Sequence, residues 1–246
     1  MKAIIIAAGS GKRISENFAN TPKSLIQVNG KSIISKQMSI LNSNGVNEII
    51  IITGPFKEKF SFSNVKFIHD ENHLQHDILG SLMVAKKELL DDVIIIYSDI
   101  LFDDLIIKKV INSKNDIGIA IDLNWKKQYE HRKSHPLSEA ENVLFDNSYK
   151  IIEIKKNIQK SNSIIGEFLG IMKLSNEGCK NFLKIYEKIS DKNKQFHDAN
   201  SLNSAYLTDM LQELIESNVE VHPIIIDSNW CEIDTIEDLK NAEDVF

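Results

Sequence analysis

A set of short aliphatic runs with no polar side most constrains the fold: Lys2 to Ala8, Glu48 to Thr53, Val65 to His69 and Val93 to Tyr97. A strand with one face in water alternates apolar and polar residues, because successive side chains point to opposite faces. Runs such as Ile49-Ile50-Ile51-Ile52 and Ile94-Ile95-Ile96 do not alternate, so both faces must be covered, as in a parallel sheet packed between helices. Segments of helical spacing lie between and after them. Ile34, Met38 and Leu41 share one face of a helix expected near Ser32 to Asn44, a second helix is expected near Asp77 to Leu90, and Leu207, Met210, Leu211, Leu214 and Ile215 repeat at the amphipathic interval. The expected class is α/β, with a mixed, mostly parallel central sheet flanked by helices. Gly45 stands where the first helix wants a left-handed residue to end it, and Thr235 with Asp238 forms a capping pair for the last helix.

Between Leu123 and Pro136 the pattern breaks into a crowd of basic and aromatic residues, which reads as an insertion over the sheet. Val143 to Ile154 reads as a hairpin turning at Asp146-Asn147-Ser148, Gly166 to Leu174 as a further strand and Glu220 to Ile226 as another. The insertion is placed at approximately 123–170. No repeat and no Pro/Gly linker divides the chain, so one domain over 1–246 is expected.

Composition excludes several classes. With 42% hydrophobic and 26% charged residues, the chain is neither collagenous nor disordered. Two cysteines, Cys179 and Cys231, are too few for a disulfide scaffold and fit free thiols in a reducing, cytoplasmic setting. The N-terminal apolar run ends within a few residues in glycines and Lys12-Arg13, unlike a signal peptide, and no run approaches the roughly 20 residues that cross a bilayer. A net charge of −6 argues against a nucleic-acid partner, whose affinity rests on a basic face. Any anionic ligand must therefore be met by a local concentration of positive charge.

That concentration follows the first strand. In Ala7-Ala8-Gly9-Ser10-Gly11-Lys12-Arg13 a glycine-rich turn can bring backbone N–H groups against phosphate oxygens. Ile6 and Arg13 break the G-x-x-x-x-G-K-[ST] phosphate loop, and Ile14 breaks the dinucleotide fingerprint. The continuation Thr21-Pro22-Lys23-Ser24-Leu25 adds a second fixed cation a short loop away. His69, His73 and His76 invite a zinc reading, but no cysteine accompanies them and their flanks predict an ordinary strand-to-helix loop.

The combination Ala7-Ala8-Gly-x-Gly-x-Arg13 followed by Pro22-Lys23-x-Leu25 resembles the nucleotidyltransferase superfamily, which joins a nucleoside triphosphate to a phosphorylated acceptor and releases pyrophosphate. Tyr97-Ser98-Asp99 and Trp230-Cys231-Glu232-Ile233-Asp234 follow in the order that superfamily shows. Trp125, Arg132 with His135-Pro136, Glu139-Ala140-Glu141 and Gly166-Glu167-Phe168-Leu169-Gly170 look most like the cytidylyltransferases of phosphonate and phosphocholine metabolism.

The resemblance implies a CTP-dependent enzyme acting on a small phosphonate or phosphate monoester, with aminoethylphosphonate, phosphocholine and a phosphorylated amino acid derivative all open. A phosphate nucleophile is already largely ionised at neutral pH, so alignment and charge neutralisation dominate and no general base is needed. Lys23 and Arg13 are the expected catalytic cations. The nucleotide would lie on Ala7, Ala8, Gly9, Ser10 and Gly11, with Gly80 and Ser81 near the base, although relatives commonly carry asparagine where this chain reads His76-Asp77-Ile78. Asp99, Asp234 and Glu232 would bind magnesium, which prefers hard oxygen ligands. Lys156 falls where related enzymes place a lysine on the acceptor phosphate, Arg132 would add a bidentate clamp, and Asp122, Glu139, Glu141 or Glu167 would receive an ammonium group. Trp125, Tyr129 and Trp230 are available as an aromatic cage for a quaternary ammonium. A monomer or homodimer is expected, confined to activating its acceptor. The rivals are a sugar-1-phosphate nucleotidyltransferase using UTP or dTTP, against which Glu153-Ile154-Lys155-Lys156 lacks the usual Glu-Lys-Pro pattern; a glycosyltransferase holding a nucleotide-sugar through Asp99, which has no use for Pro22-Lys23-Ser24-Leu25; and a non-catalytic nucleotide-binding regulatory subunit, against which Lys23 and Asp99 are both present.

Overall fold

The isoleucine runs lie side by side, as their two-sided hydrophobicity requires. The structure, a computed structural model, describes residues 1–9, 20–130, 132–133, 135–189 and 194–246. In chain order the strands are β1 (Lys2–Ala7), β2 (Gln27–Val28), β3 (Lys31–Ser32), β4 (Glu48–Thr53), β5 (Val65–His69), β6 (Val93–Tyr97), β7 (Ile100–Phe102), β8 (Ile117–Asp122), β9 (Glu141–Phe145), β10 (Ile151–Lys156), β11 (Ile164–Leu174), β12 (His222–Ile226) and β13 (Trp230–Glu232). The α-helices are α1 (Ile33–Ser43), α2 (Ile78–Val84), α3 (Asp104–Asn112), α4 (Lys126–Tyr129), α5 (Asn176–Lys188), α6 (Leu207–Glu216) and α7 (Ile236–Val245).

Among the described residues, nine strands form one mixed sheet whose centre, β6-β1-β4-β5, is parallel throughout. Beyond β6, the long strand β11 runs antiparallel to β6, β8 and β9, the hairpin β9–β10 closes one edge, and β12 pairs parallel with β8. The two faces of β1 feed different cores. Ile4 and Ile6 join Ile50, Ile52 and Ile95 against α2, α5 and α6, whereas Ala3, Ile5 and Ala7 join Ile49, Ile51, Ile94 and Ile96 against α1 and α3. Each buried isoleucine removes enough apolar surface from water to contribute about 1.5–3 kcal/mol.

Local signals act where expected. Gly45 adopts φ +80° after α1, and Thr235 and Asp238 close a capping box on α7. Helix α2 is shorter than its apolar spacing suggests: at Ala85 the N–H bonds back to Leu82, three residues away, and the chain tightens into a 3-10 turn at Lys86–Glu88. Cys179 and Cys231 are free, and no described helix is long and apolar enough to cross a membrane.

β11 carries the feature that shapes the sheet's active edge. Its pairing with β8 slips between Phe168 and Met172, and within the slip Gly170 takes φ +69° beneath the Tyr97 ring. A Cβ there would fall 2.3 Å from Tyr97 Cδ2 on a backbone that L residues avoid. Gly170→Ala should therefore cost about 1–3 kcal/mol of unfolding free energy in chemical denaturation; an unchanged stability would show that Tyr97 is not held by this close approach.

Candidate active site

Open parallel sheets place ligands beyond the carboxyl ends of their strands, and the site residues gather there. β1 ends on Ala7, and Ala8 and Gly9 continue into the segment 10–19; Ser10, Gly11 and Arg13 lie outside the described residues. The exit from β4 passes so close beneath Ala8 that a Cβ on Gly54 would meet the Ala8 carbonyl oxygen at 2.2 Å. β6 ends at Tyr97, and a turn through Ser98 and Asp99 leads into β7. β7 pairs with β13, and the Ile233 N–H donates to the Asp99 carbonyl at 3.0 Å, which brings Asp234 beside Asp99.

Lys23 fills the space between the two carboxylates. It stands at the start of a 3-10 turn, and its Nζ donates to Asp99 Oδ2 at 2.6 Å and to Asp234 Oδ1. Burial alone would lower the pKa of this ammonium, but Asp99, Asp234 and Glu232 outweigh burial and hold it above its ordinary value. Asp103 caps α3, accepting from the N–H groups of Leu105 and Ile106, so Asp99 is not needed as the cap of that helix. Gln37, fully buried on the apolar face of α1, donates to the carbonyls of Tyr97 and Ile100 at 2.9 and 2.7 Å and so fixes both ends of the Asp99 turn. A glutamine one residue from Met38 in an otherwise apolar stripe is the signal that would have revealed it.

Glu232 joins the acidic floor. Burial raises its carboxyl well above the ordinary range, and the neighbouring Asp234 and Asp99 raise it further. His135, which the sequence reading did not assign, places Nδ1 3.2 Å from Asp234 Oδ2 and Nε2 3.6 Å from Glu232 Oε2. Burial, followed by the charge of Arg132, lowers the pKa of its ring. One ligand atom from each of His135, Glu232 and Asp234 lies within 4.8 Å of the others. Buried, mutually repelling carboxylates of this kind fit a hard divalent cation such as magnesium.

Two cavities meet at this floor. One, of about 380 Å³, is lined by Ala7, Ala8, Gly9, Lys23, His76 and Ser81 among others. The second, of about 280 Å³, is lined by Glu139, Glu141, Lys156, Glu167, Tyr206 and Trp230 among others. Asp77, Ile78, Tyr97, Asp99 and Asp234 border both. Gly80 instead packs against the Asn203 carbonyl, where a Cβ would lie 2.3 Å away. In the second cavity Lys156 bonds Glu139 at 3.1 Å and lies over the Tyr206 ring. The Tyr97 hydroxyl donates to Glu141 Oε2 at 3.3 Å. Glu167 Oε1 accepts from the Tyr129 hydroxyl, while its Oε2 is buried with no partner among the described residues. Burial raises the Glu141 carboxyl to about 7 and the Glu167 carboxyl to about 8.

Three groups singled out in the sequence are engaged elsewhere. Asp122 accepts from Trp230 Nε1 at 2.9 Å and from the Asn124 N–H at 2.7 Å, and it does not line the second cavity. The guanidinium of Arg132 forks onto Asp238 at 2.6 and 3.0 Å, binding the insertion to the start of α7, and its Nη2 also reaches Glu232 Oε2 at 3.5 Å. Trp125 and Tyr129 pack edge-to-face with each other, with Trp125 Nε1 donating to the Ile165 carbonyl; neither lines the second cavity, so the three aromatics do not form a cage. His69, the last residue of β5, bonds the Thr53 carbonyl at the end of the neighbouring β4, and His73 and His76 bond Asp70 within the strand-to-helix loop. Because both side chains of the Arg132–Asp238 pair are buried, Arg132→Met should lower unfolding free energy by about 3–5 kcal/mol through the stranded carboxylate. A variant of unchanged stability would free Arg132 for a ligand instead.

Residues 3–152 match the MobA-like NTP transferase domain. Over 98% of both chains the protein is 30% identical to the CTP:phosphoglutamine cytidylyltransferase of Campylobacter jejuni. It is 38% identical over 109 residues, 43% of this chain and 48% of the relative, to a choline-phosphate cytidylyltransferase of Streptococcus pneumoniae. A solved structure of CTP:phosphocholine cytidylyltransferase from Streptococcus pneumoniae superposes with a TM-score of 0.75 at 23% identity, covering 99% of this chain and 98% of that one, which shows the shared fold. The chain thus belongs to the MobA-like NTP transferase family and is an enzyme of the nucleotidyltransferase class.

Proposed function

We propose that this protein transfers CMP from CTP to a small phosphorylated acceptor that carries an N–H-bearing cationic group. The observation that carries this reading is the pair of cavities meeting at Asp99 and Asp234, the carboxylates that Lys23 bridges, the first bordered by the β1 turn and the second rich in carboxylates. Two joined compartments suit a nucleotide and an acceptor whose phosphates meet at the junction. The CTP assignment draws on the relatives, whose names specify CTP or a cytidylyl group.

In the proposed reaction an acceptor phosphate oxygen forms a bond to the α-phosphorus of CTP while the bond from that phosphorus to the bridging oxygen breaks, and pyrophosphate leaves with the electron pair. Lys23, charged at all working pH, meets the anionic oxygens at the junction, and Lys156 meets the acceptor phosphate. Asp99, Asp234 and Glu232 would hold magnesium, which supplies charge neutralisation to the polyphosphate when bound. Gln37 keeps the Asp99 turn in place. Arg13 remains a proposed second cation beside Lys23.

The acceptor's chemistry follows from Glu167. A buried carboxylate oxygen without a donor seeks an N–H or O–H group, and the neighbouring Glu141 adds a second acidic partner. A quaternary ammonium has no N–H to give. A phosphorylated amino acid derivative or an aminophosphonate fits better than phosphocholine.

The direct test incubates the protein with each of four nucleoside triphosphates, magnesium and a panel of phosphorylated acceptors while pyrophosphate is followed. CTP with an amino-bearing acceptor should support release; release only from UTP with a sugar phosphate would overturn the reading. Lys23→Ala should lower kcat by about 10²- to 10³-fold, and undiminished turnover would remove Lys23 from the reaction. The raised carboxyl values give a pH signature: Glu141 and Glu167 are largely protonated near about pH 6 and ionise as pH rises to about 8.5. The anionic forms bind the ammonium, so the acceptor KM should fall through that window. Glu167→Gln should flatten its upper part, leaving the titrations of Glu141 and of the acceptor phosphate below it; an identical profile in the variant would contradict the assignment.

A further inference from the structure

Asp70, at the end of β5, is fully buried and makes contacts that the transfer reaction does not use. Its Oδ1 accepts from the Asn72 N–H at 3.0 Å, and its Oδ2 accepts from the Ser81 hydroxyl at 2.8 Å. The same carboxylate lies 2.9–3.0 Å from His76 Nδ1. An ionised carboxylate has no proton to offer, so the hydrogen in this contact belongs to Nδ1. In a neutral imidazole that leaves Nε2 as a bare acceptor.

Nε2 has no hydrogen-bond partner among the described residues and is not among the fully enclosed unpartnered atoms. His76 lines the first cavity together with Ala7, Ala8, Gly9 and Ser81. The loop that carries it is held at both ends: the His76 N–H bonds the Asn72 carbonyl, and Asp77 caps α2. A neutral ring in this contact presents one unsatisfied acceptor, in a defined tautomer, at the cavity where the nucleotide is proposed to lie.

We propose that Asp70 fixes His76 in its Nδ1–H tautomer so that Nε2 accepts a hydrogen bond from an exocyclic amino group of the nucleobase. This selects cytosine, whose C4 carries an amino donor, over uracil, whose C4 carries a carbonyl acceptor facing the same lone pair. Asp70 is a positioning residue and His76 a specificity-determining one. The inference rests on the nucleotide occupying the first cavity, as in the reading above.

The test has two parts. In wild-type protein labelled with 15N at histidine, the ring shifts of His76, assigned by its loss in His76→Ala, should report a protonated Nδ1 and an unprotonated Nε2; the opposite tautomer would overturn the proposal. The second part compares kcat/KM for CTP and UTP with one acceptor. Asp70→Ala removes both oxygens that can hold the Nδ1 hydrogen, so the tautomer is no longer fixed and the CTP-to-UTP ratio should fall by up to about tenfold, the scale of one mismatched hydrogen bond. His76→Ala should lower the same ratio by removing the acceptor. Loss of structure alone lowers both rates together and leaves the ratio unchanged, and an unchanged ratio in both variants overturns the proposal. Wild-type protein that turns over no CTP would instead refute the cytidylyltransferase reading itself, whatever the tautomer.

Discussion

Strands with no polar face must be buried on both sides, and everything else in this protein follows from how that burial is achieved. β1 sends alternate residues into two separate cores, so helices must cover both faces of the sheet. Parallel neighbours then leave their carboxyl ends aligned along one edge. Chain that leaves β1, β4 and β6 at that edge has nowhere to go but outward and back, and its turns supply Ala8, Gly54 and Asp99 to one surface. The hydrophobic constraint thus positions a polar site without contributing any atom to the chemistry.

The site's electrostatics are unbalanced by design of the fold. Asp99 and Asp234 pair with Lys23, while Arg132 forks onto Asp238 and reaches Glu232 at 3.5 Å. A raised carboxyl at Glu232 expresses the resulting strain of like charges in a buried place. Such a floor accepts cations, and a polyphosphate approaches it through Lys23 and any bound divalent ion. The acceptor cavity repeats the theme. Its carboxylates far outnumber its cations, which matches a zwitterion that brings its own positive charge alongside its phosphate.

Most of the fold was legible because it rests on local periodicity. β4, β5 and β6 have the bounds that their aliphatic runs predict, and the caps at Gly45 and Thr235 follow from residue type. The carboxylates at Asp99 and Asp234 were legible through the family resemblance, whose order Tyr97-Ser98-Asp99 and Trp230-to-Asp234 follow. What sequence could not reveal were contacts between distant segments of the chain. Arg132 reads as an exposed anion clamp in a basic stretch, yet it is paired across 106 residues with Asp238. Asp122 reads as a free carboxylate, yet Trp230 occupies it across 108 residues. Gln37 meets the Tyr97 and Ile100 carbonyls, and Asp70 meets Ser81, only through packing between separate segments of the chain.

In the proposed reaction the bond formed joins the acceptor to the α-phosphorus of CTP. Parallel reactions with CTP labelled at the α- or the γ-phosphate, magnesium and an amino-bearing phosphorylated acceptor test it directly. The α label should appear in the acceptor adduct and the γ label in pyrophosphate; a γ label on the acceptor, or no labelled adduct with any such acceptor, would contradict it.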